Sequence, residues 1–220
     1  MPSNDTTLKQ YYAARAREYE SIYAKPERQA DLKRIADLLK PMFKGRRVLE
    51  IACGTGYWTQ HIAAVAQSIT GVDANQETLD VAAEKTWLAN RVEFKIADAY
   101  ALPDELGMFD ATFAGFWWSH ILARDRARFF ASLNRRLLPG ARVAFLDNLY
   151  VEGNSTPVSH RDAEGNTYQR RLLKNGTEHV VPKNFPTEQG LFADVAGFAS
   201  NAHYAALEYF WLFSYETSAA

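Results

Sequence analysis

A chain of 220 residues, 47% of them hydrophobic, is long enough to bury one full core and too short for two large domains. Its 25 lysines and arginines against 26 aspartates and glutamates leave a formal net charge of −1, so no charge excess draws it to a nucleic-acid backbone, and a small-molecule or neutral partner is favoured. The single cysteine, Cys53, excludes an intrachain disulfide; residues 1–5 carry no apolar leader and no apolar run reaches spanning length, so a cytoplasmic setting without membrane insertion is expected.

Residues 6–24 set Tyr11, Tyr12, Tyr19 and Tyr23 among charged residues, a helical pattern whose poor apolar stripe leaves the rings to pack on something other than a simple core. After Pro26, Leu32, Ile35, Ala36 and Leu39 fall at i, i+3, i+4 and i+7, which predicts an amphipathic scaffold helix over 27–42. Residues 48–51 then read as a buried strand containing Glu50. The small residues Ala52, Cys53, Gly54, Thr55 and Gly56 turn the chain into a helix that buries Trp58, Ile62 and Val65. Such a turn lets a ligand approach the backbone and meet free N–H groups, and Gly54 and Gly56 remove the side chains that would block it. Residues 68–73 form a second apolar run ending at Asp73, about 20 residues beyond the turn, where a ribose-binding acid is expected. Ala74 follows it, and Asn75 either caps the next helix, whose Leu79, Ala82 and Ala83 face the sheet, or touches a ligand beside Asp73.

Residues 92–99 alternate apolar and polar and end at Asp98 and Ala99; residues 109–116 form a fourth strand ending in aromatics. Acids at the carboxyl ends of successive strands converge on the crevice where open α/β sheets bind ligands. Phe116, Trp117 and Trp118 cluster just past a strand end, where rings wall an adenine or sandwich a flat acceptor. His120, beside them, is either a general base or a core histidine with a satisfied ring. Residues 124–138 are expected as a helix with Phe130, Leu133 and Leu137 inward, stopped by Pro139-Gly140, and 142–147 as a fifth strand. At its end Asp147 and Asn148 either hold and deprotonate an acceptor or simply form a turn.

Glu50-Ile51-Ala52-Cys53-Gly54-Thr55-Gly56, Gly71-Val72-Asp73, Ala97-Asp98-Ala99 and Leu138-Pro139-Gly140 before Arg142–Leu146 together resemble the class I S-adenosylmethionine-dependent methyltransferases over residues 44–150. The resemblance implies a three-layer α/β sandwich of Rossmann-like type, with a mostly parallel seven-stranded sheet and an antiparallel last strand. It implies S-adenosylmethionine as cofactor, with Glu50, Ala52, Cys53, Gly54, Gly56, Asp73, Ala74, Asn75, Asp98, Ala99, Phe116 and Trp117 around it. Ala52 stands where the family usually has its first glycine, which leaves slightly less room. In similar enzymes an N-terminal helix closes over the cofactor, which makes Tyr11 and Tyr19 candidates for its wall and Tyr12 one for the acceptor.

From residue 151 to 186 the composition turns to Gly, Asn, Ser, Pro and charge. Residues 167–173 and 177–181 flank Lys174-Asn175-Gly176, a strong hairpin signal. A hairpin there would cover an acceptor pocket, with Arg161, Tyr168 and Arg170 able to recognise a carboxylate or phosphate, or it is a solvated surface element. Thr187 caps a short helix, and residues 203–214 are strand-rich. We expect a single domain over 1–220: a helical cap (1–26), a cofactor core (27–150), the hairpin insertion (151–186) and a last helix with strands (187–220). The five histidines show no ligand-spaced pair, so no metal is expected. The resemblance implies in-line methyl transfer to a small, planar or anionic acceptor, with His120 and Asp147 as catalytic candidates and Trp118 and Asn148 beside the acceptor. A nicotinamide-dependent reductase and a non-catalytic cofactor-binding protein remain alternatives.

Overall fold

The computed structural model describes residues 4–87, 91–173 and 175–218; Lys174 of the hairpin turn and the first three residues of the cap lie outside them. In chain order the elements are α1 (Asn4–Arg15), α2 (Gln29–Phe43), β1 (Arg47–Ile51), α3 (Tyr57–Ala63), β2 (Ser68–Asp73), α4 (Gln76–Ala83), β3 (Val92–Ile96), β4 (Phe109–Gly115), α5 (Arg126–Asn134), β5 (Leu137–Asn148), β6 (His160–Arg161), β7 (Thr167–Leu172), β8 (Glu178–Pro182), α6 (Glu188–Val195), β9 (Ala199–Ala206) and β10 (Phe210–Thr217). Seven strands form one sheet in the order β3-β2-β1-β4-β5-β10-β9. The first five run parallel, and β10 enters antiparallel between β5 and the edge strand β9.

Alternation along the strands divides the core into two layers. Leu49, Val143, Phe145 and Phe213 pack on one face with Phe129 and Leu133 of α5 and Leu191 of α6. Val48, Ala144, Leu146 and Leu212 pack on the other with Ile35 and Leu39 of α2 and Ile62 of α3. Successive side chains of a strand point to opposite faces, so buried strands read as continuous apolar runs. Strand order reverses between β1 and β4, and an open sheet gapes there at its carboxyl end.

Three expectations are corrected. Helix α5 stops at Asn134 rather than 138, because Leu137 already pairs with Phe109; Pro139 and Gly140 sit inside a longer β5 whose pairing with β4 shifts register between Phe109 and Ala111. The N-terminal helix is α-helical only to Arg15, then winds as a 3-10 helix from Ala16 to Ala24 that buries Ala16 and Tyr23. The hairpin of β7 and β8 gains β6 as a third antiparallel strand. No helix among the described residues is long and apolar enough to cross a membrane.

Candidate functional site

The turn after β1 carries three residues in the left-handed region: Ala52 at φ 50°, Gly54 at 55° and Gly56 at 78°. Ala52 adopts it with a Cβ, which costs on the order of 1 kcal/mol relative to glycine. Gly56 serves packing, since a Cβ there would meet the Trp87 ring at 3.0 Å, whereas one at Gly54 would project into open space. Asp73 braces the turn: its carboxylate accepts from the Gly54 N–H and the Asn75 N–H, each at 2.9 Å. Burial nevertheless raises its pKa. Asn75 occupies the N-cap position of α4 without a side-chain capping bond and lines the cleft.

That cleft encloses about 970 Å³, its open mouth included, and brings together Glu50, Asp73 and Asp98. Ala52, Cys53, Gly54, Ala74, Asn75, Ala99, Phe116, Trp117, Tyr19 and His120 line it too. Glu50 is 2% exposed and accepts from the Thr59 hydroxyl at 2.6 Å; burial pushes its pKa up to about 8. The Asp98 carboxylate accepts from the Tyr100 N–H at 2.8 Å. Sequence reasoning missed Tyr23 and Tyr57, whose rings stack at 3.6 Å and 8°, because residues 34 apart carry no joint signal.

A second cleft of about 850 Å³ lies on the other side of a wall made by Tyr12, Tyr19, Tyr23, Phe116 and His120, all of which line both. Asn148 and Tyr11 face this second cleft, not the first. Arg15, Lys25, Arg28, Arg171 and Lys183 also line it, and among its described lining residues there is no carboxylate. Arg28 donates to Asn154 Oδ1 at 2.5 Å and its buried Nε has no partner. Arg171 donates to Thr156 Oγ1 at 2.9 Å and Gln169 Oε1 at 2.5 Å. Arg15 donates to the Tyr11 hydroxyl and lies over the Tyr11 and Tyr19 rings.

His120 has one consistent tautomer. Its Nδ1 lies 2.6 Å from the Pro182 carbonyl, which can only accept, so Nδ1 carries the proton and Nε2 accepts from the Tyr12 hydroxyl at 2.7 Å. Burial, reinforced by the nearby Lys183 charge, lowers its pKa to about 3. Asp147 lies behind this wall: Lys183 donates to it at 2.8 Å, and the Ser119 and Asn148 N–H groups at 2.9 and 2.8 Å. Burial works against its charge, but Lys183 outweighs that and lowers its pKa.

Four further residues lie away from both clefts. Trp118 is buried against Phe130 and Phe145 in the core. Arg161 donates to the Gly165 carbonyl, Tyr168 to Asp162, and Arg170 pairs with Glu178 at the surface at 3.0 Å. Arg171, one residue on, takes the cleft-facing position expected of Arg170, because neighbouring strand residues face opposite ways.

Residues 48–140 match the model of a family described as a methyltransferase domain. Over 107 residues the chain is 34% identical to demethylmenaquinone methyltransferase of Staphylococcus aureus, a match covering 47% of this chain and 44% of that protein; the chain spans under half the length of the curated relatives it matches. The DhpI–SAH complex superposes with a TM-score of 0.81 at 25% identity, covering 98% of this chain and 97% of that one. The [4+2]-cyclase SpnF shares the fold, with a TM-score of 0.69 at 16% identity over 97% of this chain and 96% of its own. The strand order and the acid-lined cleft at the strand ends define a Rossmann-like α/β class. Within it, residues 48–140 are similar to a methyltransferase domain, and the chain as a whole shares its fold with the protein of the DhpI–SAH complex.

Proposed function

We propose that this chain transfers a methyl group from S-adenosylmethionine to a small acceptor bearing an anionic group. The reading is carried by two clefts, one lined by acids and the other by cations, that share a single aromatic wall. The first cleft suits the cofactor. The space before Gly54 is open, Asp73 keeps lone pairs for ribose hydroxyls beyond the two N–H groups it accepts, and Val72, Ala97 and Ala99 offer an apolar bed. Tyrosine faces beside a sulfonium add a cation–π attraction of about 0.5–2 kcal/mol.

The bound cofactor supplies an already activated methyl group. The residues therefore position and dry the reactants. Alignment of this kind accounts for about 7–11 kcal/mol of barrier reduction in favourable cases. The segment of residues 4–24 roofs the site, with Tyr12 bonded to His120 and the Thr55 hydroxyl donating to Glu20 at 2.7 Å. That cover excludes water without a covalent step. The fold alone would not carry this reading, since related folds serve other chemistry.

Calorimetry with S-adenosylhomocysteine tests the cofactor. Asp73→Ala is expected to weaken binding by about tenfold or more, the worth of charge-assisted hydrogen bonds. Unchanged affinity would remove the reading. Tight binding by the wild type without transfer to any member of a broad acceptor panel would leave a binding protein instead.

A further inference from the structure

Resting on that reading, we propose that the methylated atom is an anionic oxygen of the acceptor, held by Arg171 and Arg28, and that transfer proceeds without a general base. The wall between the clefts contains four titratable side chains among the described residues: Tyr12, Tyr19, Tyr23 and His120. None can take a proton. The His120 Nε2 lone pair is filled by the Tyr12 hydroxyl, and its Nδ1 proton is held by the Pro182 carbonyl. Burial keeps the three phenols protonated, Tyr19 up to about 12. Asp147 is closed off by Lys183, Ser119 and Asn148, and Glu50 lies on the cofactor side, bonded to Thr59.

An acceptor that cannot lose a proton here must arrive with its nucleophilic pair free. The charges around the second cleft choose among such acceptors. Arg15, Lys25, Arg28 and Arg171 face it without a carboxylate in ion-pair contact among the described residues, Glu27 acting on Lys25 and Arg28 only from a distance, while Lys183 is offset by Asp147. Their reach extends to the wall: Arg15 and Arg171 act on the Tyr12 hydroxyl, and Arg171 and Lys183 on His120. A protonated amine is repelled from such a cleft, and a phenol or thiol, whose ionisation the same charges ease, has only one acceptor atom to offer a guanidinium fork. A carboxylate or phosphate-type oxyanion meets forked donors that are short of anionic partners.

The step balances without proton transfer. The oxygen pair becomes the new O–C bond, the C–S bond breaks, and its pair stays on sulfur as a neutral thioether. The product ester has lost one negative charge. It is therefore held less tightly by the same arginines, which favours its release.

The full chain loaded with S-adenosylhomocysteine is titrated with inorganic phosphate by calorimetry, for the wild type, Arg171→Gln and Arg171→Lys. Phosphate is expected to bind the wild type, to bind Arg171→Gln about tenfold or more weakly, and to bind Arg171→Lys in between. In parallel, methyl-labelled S-adenosylmethionine is offered with small carboxylates, phosphate monoesters, phosphonates, amines, phenols and thiols. Label is expected on acidic oxygens. Label on nitrogen, phenol oxygen or sulfur, equal phosphate affinity in wild type and Arg171→Gln, or no phosphate binding to the wild type would each overturn the proposal. Retained S-adenosylhomocysteine binding in the variants shows that they fold and keeps the cofactor reading separate; its absence in the wild type strikes that reading instead.

Discussion

Glu50 brings a chargeable group into a buried position at the end of β1, and the cost of that burial is visible in its acidity. Its carboxyl is held up to about 8, with the Thr59 hydroxyl and the Lys85 charge offsetting only part of the desolvation. A carboxyl whose pKa is higher in the folded chain than in the unfolded one binds its proton more tightly when folded. Its contribution to stability is complete below the unfolded value of 4.5 and is lost as pH rises towards 8. Glu50→Gln keeps the shape and an acceptor for Thr59 but has no charge to desolvate. Without cofactor, its melting temperature is expected to exceed that of the wild type at pH 8 and to match it near pH 4.5. A difference independent of pH would mean that the side chain is already solvated when ionised.

At the scale of elements, the 3-10 half of the cap is fastened by the Thr55–Glu20 and Lys85–Glu20 bonds, the Arg17–Glu84 pair and the stack of Tyr23 on Tyr57, whereas α1 is tied down differently. The Tyr12–His120 hydrogen bond ties α1 to the loop after β4, and Leu8 and Tyr11 of α1 pack on Val181 of β8. Tyr12→Phe removes the donor and strands a buried ring nitrogen, a loss of roughly 1–3 kcal/mol when such a group stays unsatisfied. Faster amide exchange across residues 8–24 is expected, with the sheet unchanged. Exchange indistinguishable from the wild type would show that packing alone secures the cap.

The elements also explain what was legible beforehand. Strands β1, β2 and β4 announce themselves as apolar runs buried on both faces, and Glu50, Asp73 and Asp98 converge because each lies at or near a strand's carboxyl end. The cation cleft was hidden for a different reason. Arg15, Arg28, Arg171 and Lys183 come from four separate segments, and the choice between Arg170 and Arg171 turns on strand parity. Gln169 and Arg171 share the face towards the cleft, while Arg170 turns outward to Glu178. Periodicity fixes a pair of faces but not which of them looks inward.

For the molecule as a whole, the strand ends of the large sheet supply one side of the acid cleft, and the small sheet, through Gln169, Arg171 and Val181, supplies one side of the cation cleft. The other side of both is the cap, since Tyr12, Tyr19 and Tyr23 line the acid cleft and the cation cleft alike. Whatever conformational entropy the cap loses on closing is lost once, so the ligand that binds second is spared it, and the two sites become positively coupled. Coupling free energies of this kind are commonly about 1–3 kcal/mol, and linkage requires each ligand to raise the other's affinity by the same factor. Phosphate is therefore expected to bind more tightly to the chain saturated with S-adenosylhomocysteine than to the free chain, by about fivefold or more. S-adenosylhomocysteine in turn should gain equally from saturating phosphate. The uncharged thioether is the informative partner here, because it carries no sulfonium charge to attract the anion directly. Tyr12→Phe, which loosens the shared cap, should reduce both factors together. Coupling that survives that change undiminished, or that is absent from the wild type, would mean that the clefts fill independently and that the cap is already closed in the free chain.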